Sequence, residues 1–269
     1  MAIVKGIMTM NGGLGNVTFY TQRGTNKVIM RTKGGTTRKK MAANPKFEGL
    51  RKQQKEFGVC SKFGKYTRSA FGDLRRVADY NLSAVLTGIG RNIMKLDTTS
   101  EAGKRALCLS QNKGALEGLN FNRTNPLTSV LRVFPRVDLD RENLRGVFTI
   151  PRINTDMDLM NFQKLPFFRL NVAIGAMTDM AYNPTTGKYE PMVIEMYGIS
   201  VTLTGKWYST RSVLPEHSLT VALPVERTEF LTPNVSILLS MAVEFGNVGT
   251  DGEPVEVKYA GSGKVVKVG

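Results

Sequence analysis

A single histidine and two pairs of aspartates are the residues of this chain whose types and spacing could support catalysis or metal binding. His217 is the only histidine, and neither a cysteine nor a Gly-x-Ser-x-Gly motif stands near it to complete a metal site or a Ser-His-Asp triad. We expect His217 to be an exposed turn residue. Asp138 with Asp140, and Asp156 with Asp158, are two residues apart. On a strand this spacing puts both carboxylates on one face, where they could bind a hard cation.

The same aspartate spacing is common by chance, so we interpret both pairs as solvated carboxylates in loops or at strand ends. The sequence therefore predicts no catalytic residue, no metal site and no cofactor. An enzyme remains an alternative, because the two carboxylates of a glycosidase can come from distant parts of a chain.

Three other groups of residues invite a chemical interpretation. The segment Asn11–Asn16 is rich in glycine but lacks the lysine and the following helix of a phosphate-binding Walker loop, so we predict a tight turn. Trp207 and Tyr208 could form a stacking platform for a base or a sugar, but packing within a sheet is the expected role. Cys60 and Cys108 are too few for a disulfide scaffold, and we expect both to be reduced and on the core side.

Positive charge is concentrated in the first part of the chain. Residues 1–110 contain 21 Lys and Arg and 6 Asp and Glu, whereas residues 111–269 contain 16 of each, so the first part carries the whole net charge of +15. Such a charge favours a polyanionic partner: nucleic acid, an anionic membrane or an acidic protein surface. The candidate contacts with nucleic acid or another partner are Arg38, Lys39, Lys40, Arg51, Lys52, Lys55, Lys62, Lys65, Arg68, Arg75 and Arg76.

The elements that must position these cations begin with a β-hairpin formed by Asn16–Thr21 and Lys27–Arg31, which are rich in β-branched and aromatic residues. Residues 33–44 are expected to be an extended basic arm. Asn44 followed by Pro45 is typical of a helix start, with an asparagine cap and proline in the first turn.

The helix after Asn44 is predicted to have a packed face and a cationic face. Phe47, Leu50, Phe57 and Cys60 recur at helical spacing and are expected to pack. At about 100° per residue, Arg51, Lys55 and Lys62 lie within roughly 40° of one another on a different face.

Two further helical patterns follow. Apolar residues recur every three or four positions from Phe71 to Ile93, and Gly72, Gly88 and Gly90 weaken this pattern and could break it into pieces. Thr98 and Glu101 have the spacing of a capping box, which predicts a short helix that ends near Leu107.

From about residue 111 the pattern becomes that of short strands separated by turns, which indicates an antiparallel sandwich or barrel. The predicted strands are Leu127–Val133, Gly146–Ile150, Phe167–Ile174, Met192–Tyr197, Ile199–Thr204, Ser218–Leu223, Val235–Phe245 and Val255–Tyr259. The predicted fold class is therefore α+β: an N-terminal β-hairpin and basic helical segment followed by an antiparallel β-sandwich. We divide the chain into a basic region, 1–110, and a neutral sandwich domain, 111–269.

The sequence shows no membrane span and no export signal. No segment approaches the roughly 18–20 continuous apolar residues of a membrane span, and the first residues lack the layout of a signal peptide. We expect the protein to be made in the cytoplasm and, under the particle hypothesis below, to be found in a virion.

Several short motifs occur in a recognisable order. They are Gly13–Val17, the hairpin strand Val28–Arg31, Asn44-Pro45 with Gln53, Gln54 and Phe57, then Asp138–Arg141 and Ile150-Pro151. In this the chain resembles a family of uncharacterised proteins from Bacteroidetes and their phages, over most of its length. It departs from the family's pattern at Leu14, where lysine is frequent, and at Lys52, where arginine is expected. The resemblance implies a glycine-rich hairpin, a basic helix and a β-rich domain, and it implies no activity or catalytic residues.

These observations support three hypotheses. The first is a structural subunit that assembles with copies of itself, in a phage virion or a similar particle, and whose basic part contacts nucleic acid or neighbouring subunits. The second is a nucleic-acid-binding protein without sequence preference, because no helix-turn-helix, zinc-finger or RNP signature is present. The third is an enzyme that acts on an anionic polymer and uses the basic face to guide its substrate.

Overall fold

The computed structural model describes residues 2–4, 11–22, 25 and 27–269. The chain divides into two units, Met1–Arg51 and Lys52–Gly269. This boundary lies earlier in the chain than the sequence-based division between residues 110 and 111, because the helices that follow residue 52 share a hydrophobic core with the later strands.

The first unit contains strands β1 (Ala2–Val4), β2 (Gly12–Leu14), β3 (Val17–Thr21) and β4 (Val28–Thr32). They form an antiparallel sheet in the order β1-β4-β3-β2. Gly15 links β2 to β3 with a φ of +54°, which confirms the tight turn predicted for the glycine-rich segment. The β3–β4 hairpin is confirmed as well, although part of its turn lies outside the described residues.

Helix α1 (Arg38–Ala43) replaces part of the extended arm that we predicted for residues 33–44, so that prediction is wrong over these six residues. The side-chain oxygen of Thr37 accepts a hydrogen bond from the Lys40 N–H at 3.3 Å, which caps the helix. Arg, Lys, Met and Ala all favour helix, and this outweighs the flexibility of the preceding glycines.

The Asn44-Pro45 helix start is confirmed. The Asn44 side chain accepts a hydrogen bond from the Lys46 N–H at 2.9 Å, and a 3-10 segment, Pro45–Phe47, leads into helix α2 (Glu48–Ala70).

The predicted Phe71–Ile93 pattern is divided into two pieces, as its glycines suggested. Gly72 has a φ of +58° and begins a 3-10 segment, Gly72–Val77. Helix α3 (Leu82–Lys95) follows, and the Asn81 side chain caps it by accepting from the Ala84 N–H at 3.4 Å.

The predicted helix after Thr98 is absent from the described residues. The Asp97 carboxylate instead accepts hydrogen bonds from the N–H groups of Thr99 and Ser100 at 3.0 Å each, and of Ala106 at 2.8 Å. These bonds, with that from Ala106 the strongest cause, hold the pKa of Asp97 well below its usual range. Because the carboxylate takes up these backbone donors, residues 98–106 form a tight loop.

The later part of the second unit is largely β-structure, with the short helices α4 (Leu127–Val130) and α5 (Thr155–Asp158). Further 3-10 segments are Lys113–Ala115, Ile194–Met196 and Val225–Phe230. The strands are β5 (Arg136–Asp140), β6 (Arg145–Ile150), β7 (Ile153–Asn154), β8 (Phe167–Thr178), β9 (Met180–Asn183), β10 (Lys188–Pro191), β11 (Ile199–Thr204), β12 (Tyr208–Ser209), β13 (Val213–Leu214), β14 (His217–Ala222), β15 (Val235–Val248), β16 (Pro254–Glu256) and β17 (Ser262–Val268).

Two of the predicted strands are wrong, and a third, Val255–Tyr259, is a strand only as far as Glu256. Leu127–Val133 begins as α4, since Pro126 directs the chain into a helical turn whose first bonds run from Ser129 and Val130 back to the Pro126 carbonyl. Met192–Tyr197 contains the 3-10 segment Ile194–Met196. Both segments are apolar because they cover the core, and a short apolar run does not by itself separate strand from helix.

Two antiparallel sheets form the centre of the second unit. Strands β11, β8, β15 and β16 pair in that order, with β12 on β8 and β17 on β15, and a second sheet has the order β14-β6-β5. The α+β class predicted from the sequence is therefore confirmed.

Alternate residues of β8 face different layers. Leu170, Val172 and Ile174 pack with residues of the β14-β6-β5 sheet such as Phe148. Ala173 and Met177 pack with α2 and α3. The strand is therefore buried on both faces, between a second sheet and a layer of helices.

The helix-facing side of β8 carries small residues because the backbone of α2 approaches it closely. A Cβ added at Gly175 would overlap the Ala70 carbonyl group at the end of α2, and one added at Gly72 would overlap the Thr202 hydroxyl. Glycine at these two positions lets the helix end meet the sheet directly.

Candidate functional site

Five candidate cations of the second unit are exposed and have no ion pair among the described residues, and they define what we call the cationic surface: Lys55, Lys62, Lys65, Arg68 and Arg75. Four of them are on α2 and Arg75 follows in the Gly72–Val77 segment. Their distribution follows from the packing of α2. Val59, Phe63, Thr67 and Ala70 are buried, and at 100° per residue the lysines and Arg68 lie on the remaining arc of the helix.

No carboxylate within 4 Å neutralises the cationic surface among the residues that the structure describes. The Lys55 Nζ lies 5.9 Å from the ring centroid of Tyr182, and the Lys65 Nζ lies 5.4 Å from that of Tyr66. Contacts of this kind orient an ammonium group without cancelling its charge. The cationic surface is therefore available to a polyanion.

Three other candidate cations have roles within the fold. The Arg51 guanidinium donates to the carbonyl groups of Met41 at 2.7 Å and of Asn44 at 3.0 Å, and so holds α1 to the start of α2. Lys52 is half-buried, and its side chain packs against the Gly103 backbone.

Arg76 pairs with Asp73 at 3.1 Å and with Glu256 at 4.0 Å. The remaining three candidates, Arg38, Lys39 and Lys40, are exposed on α1 in the first unit.

The packed face that we predicted for α2 is wrong in part. Cys60 is buried as expected, but Phe57 is 58% exposed and Leu50 is 40% exposed. The true core face uses Phe63, which lies about 120° around the helix from Phe57. The sequence pattern missed this because small residues, Gly64 and Ala70, occupy much of the buried arc.

A second surface feature is a cluster of exposed apolar side chains beside α4 and α5. Leu131 and Leu159 form an antiparallel bridge, which brings the segment with Phe134 beside the segment with Met157. Phe134 is 70% exposed and Met157 is 68% exposed. The Arg132 guanidinium donates to the Met157 carbonyl at 3.4 Å and fixes this arrangement.

Two further exposed apolar side chains lie close to α4. Phe162 and Tyr259 line one small cavity together with Val130, and the Val130 carbonyl accepts a hydrogen bond from the Met160 N–H at 2.8 Å. Phe162 is 57% exposed and Tyr259 is 69% exposed. We call the set Phe134, Met157, Phe162 and Tyr259 the apolar end. Sequence reasoning missed it because its members are far apart along the chain.

One aspartate of each pair that could have bound a metal is engaged locally. Asp140 accepts hydrogen bonds from the N–H and the side-chain amide of Asn143 at 3.1 and 2.7 Å, and Asp158 accepts one from the Asn154 N–H at 2.8 Å. In the described part of the chain no three His, Cys, Asp or Glu residues are grouped closely enough to hold a metal ion.

The remaining predicted chemical residues lie apart from one another. His217 is not an exposed turn residue, as we had expected, but the half-buried first residue of β14, and its Nδ1 lies 3.1 Å from the Pro215 carbonyl oxygen. Cys60 is buried and Cys108 is half-buried, and both are free. Burial raises the pKa of the Cys60 thiol to about 11, which makes it a poor nucleophile.

Sheet packing is confirmed as the role of the Trp207–Tyr208 pair. The Arg169 guanidinium lies 4.4 Å from the Trp207 ring, and the Tyr208 and Phe168 ring centroids are 5.9 Å apart. Arg169 also pairs with the buried Glu244 at 2.6 Å and with Glu256 at 3.2 Å, across neighbouring strands. This network joins β8, β15 and β16.

The sequence matches no protein-family model and no curated protein. A structural comparison finds a crystal structure described as an ApaA protein from Bordetella pertussis, with 14% identity and a TM-score of 0.18, over 56% of this chain and 95% of the other. A TM-score this low does not indicate a shared fold. Within the described residues, no helix combines the length and the apolar character needed to cross a membrane.

Proposed function

We propose that this protein is a structural subunit that assembles with copies of itself, in a phage virion or a comparable particle, and that its cationic surface meets nucleic acid or a neighbouring subunit. The observation that carries this proposal is the apolar end, four large apolar side chains that are each more than half exposed on segments close to α4. Exposed apolar area gathered in one region of a protein surface is typical of an interaction site.

Self-association would remove the apolar end from water. Burial of one large apolar side chain contributes about 1.5–3 kcal/mol, so even part of this cluster would contribute substantially to an interface. The cationic surface is a second and independent argument for the same proposal. Subunits that package nucleic acid need positive charge that their own carboxylates do not neutralise. The resemblance to proteins of Bacteroidetes and their phages agrees with a particle component.

The assembly proposal predicts that polar substitution at the apolar end will dissociate the particle or oligomer. We expect Phe134→Ser with Met157→Ser to raise the dissociation constant of self-association by at least about tenfold for each substituted side chain. Each substitution removes more than about 1.4 kcal/mol of apolar burial. Multi-angle light scattering after size-exclusion chromatography measures the change in mass.

The matched control is Leu96→Ser with Val248→Ser, two exposed apolar residues outside the apolar end. This variant should assemble like the wild type. A wild-type protein that stays monomeric at high concentration, with and without nucleic acid, would contradict the proposal.

A second candidate function is nucleic-acid binding without sequence preference by a protein that does not assemble. The observation that favours it is the cationic surface itself, which has exposed and unneutralised charge along one side of α2. Phosphate contacts of this kind give affinity but no sequence information.

The nucleic-acid contact, in either function, predicts a strong effect of charge reversal. Lys62→Glu with Lys65→Glu should reduce the slope of log K against log salt by about 1.4–1.8, and the affinity at 0.1 M salt by about 25- to 60-fold. Fluorescence anisotropy with a labelled oligonucleotide at several salt concentrations measures both quantities.

The control for net charge is Arg152→Glu with Arg211→Glu, which replaces two exposed arginines in the later part of the chain. It changes the net charge of the protein by the same amount as Lys62→Glu with Lys65→Glu. If both variants weaken binding equally, the overall charge and not the cationic surface attracts the nucleic acid.

A further inference from the structure

An exposed aromatic ring beside the cationic surface points to the kind of nucleic acid that the surface takes. Phe57 is 58% exposed on α2, whereas Phe63, six residues further on, is fully buried. An aromatic ring left in water on an otherwise polar and basic part of a helix is not needed for the packing of that helix. It is therefore free to contact a ligand.

The residues around Phe57 distinguish nucleic acid from a protein partner. At 100° per residue, Ser61 and Arg68 lie within about 40° of Phe57 on the helix, Gln54 lies about 60° away, and Lys65 about 80° away. All four are exposed. One exposed apolar residue, Leu50, lies seven residues before Phe57 and within about 20° of it on the helix, and the other exposed neighbours of Phe57 are an amide, a hydroxyl and cations. This combination matches bases that stack and phosphates that pair with cations.

We infer that α2 binds single-stranded nucleic acid in preference to a duplex, with one base stacked on Phe57 and the adjoining backbone phosphates paired with Lys65 and Arg68. This inference rests on the nucleic-acid contact in the proposed function and adds the class of nucleic acid and the residue that selects it. In a duplex the base faces are stacked on one another, so the ring of Phe57 has no base to cover.

The geometry along α2 is compatible with this arrangement. With a rise of 1.5 Å per residue, Lys65 lies about 12 Å and Arg68 about 16 Å along the axis from Phe57. An extended single strand that runs parallel to the helix would place one base on the ring and its later phosphates beside the two cations.

The inference is tested with a fluorescein-labelled 20-nucleotide oligo(dT) and a 20-base-pair duplex of unrelated sequence, by anisotropy at matched salt. We expect the wild type to prefer the single strand. Phe57→Ala should weaken single-strand binding by about 5- to 150-fold and should leave the salt slope unchanged, since no phosphate contact is lost. Phe57→Tyr should retain most of the affinity, because it keeps the ring.

Phe134→Ala is the matched control, since it removes an exposed phenylalanine of the apolar end, and it should leave oligonucleotide affinity unchanged. Equal affinity of the wild type for the two oligonucleotides, or no effect of Phe57→Ala, would overturn the inference while leaving nucleic-acid binding intact. If Phe57→Ala changes the mass of the assembly but not oligonucleotide binding, Phe57 contacts a second copy and the inference is wrong. Absence of binding to either oligonucleotide would remove the nucleic-acid contact, and the inference with it.

Discussion

Replacing Arg169 with alanine is expected to lower the free energy of unfolding by about 3–5 kcal/mol, because it leaves a buried carboxylate without its partner. The Glu244 side chain is only 5% exposed and accepts two short contacts from the Arg169 guanidinium, at 2.8 Å from Nε and 2.6 Å from Nη2. The same substitution removes the guanidinium from the Trp207 ring. Urea denaturation followed by circular dichroism measures the change.

Two further variants test whether the unpaired charge of Glu244 causes the loss of stability in Arg169→Ala. Arg76→Ala removes an exposed arginine that also pairs with Glu256, and it should lower stability by no more than about 1 kcal/mol. Replacing both members of the buried pair, Arg169→Met with Glu244→Leu, should recover most of the stability, since apolar residues of similar volume often replace a buried ion pair without loss. A double variant as unstable as Arg169→Ala would show that Glu244 is not the cause.

The second large effect is expected at Phe63, whose replacement by alanine should lower the free energy of unfolding by about 3–5 kcal/mol. Phe63 is fully buried in the core between α2, α3 and the sheet, and its ring packs so closely on α3 that a Cβ added at Gly90 would lie 2.8 Å from it. Denaturation in guanidinium chloride measures the loss.

The same helix provides the comparison. Phe57 is also a phenylalanine of α2, six positions before Phe63, but it is exposed. Phe57→Ala should therefore alter the free energy of unfolding by no more than about 0.5 kcal/mol. This result would also show that any loss of oligonucleotide binding in Phe57→Ala is not a loss of folding. Equal destabilisation by the two substitutions would mean that Phe57 is covered in solution.

Much of the fold could be predicted from the sequence where the hydrophobic pattern is strong. Ile199–Thr204 was predicted with the bounds that the structure gives to β11, because alternating β-branched residues lie between clear turn signals. The Asn44-Pro45 start of the helical region was also predictable, since the cap and the proline act within four residues of chain.

The errors arise where distant contacts decide the local structure. The buried face of α2 was assigned to Phe57 because it is large and apolar, whereas the helix end meets β8 through Ala70 opposite Gly175, and there only small residues fit. Leu127–Val133 is apolar because it covers a core, and its helical turn depends on Pro126 and on the bridge from Leu131 to Leu159. Neither contact can be inferred from local periodicity.

The candidate site was predictable in its charge but not in its shape. Composition alone located the cations, and helical spacing placed Lys55 and Lys62 on one face. Neither composition nor helical spacing indicated that Arg51 binds the carbonyl groups of the preceding helix or that Arg76 pairs with Glu256. The apolar end could not be inferred at all, because its members are far apart along the chain.

The order in which the core is completed has a consequence for synthesis on the ribosome. Helices α2 and α3 emerge early, yet their apolar faces are covered by residues of β15 and β17, including Val265, which emerge much later. During that interval Phe63 and Leu86 have each other's helices but not the strand residues that complete their core, and contacts between such distant segments form slowly. Nascent chains of this protein should therefore be exposed to aggregation until β17 has been made, and should depend on chaperones during that time.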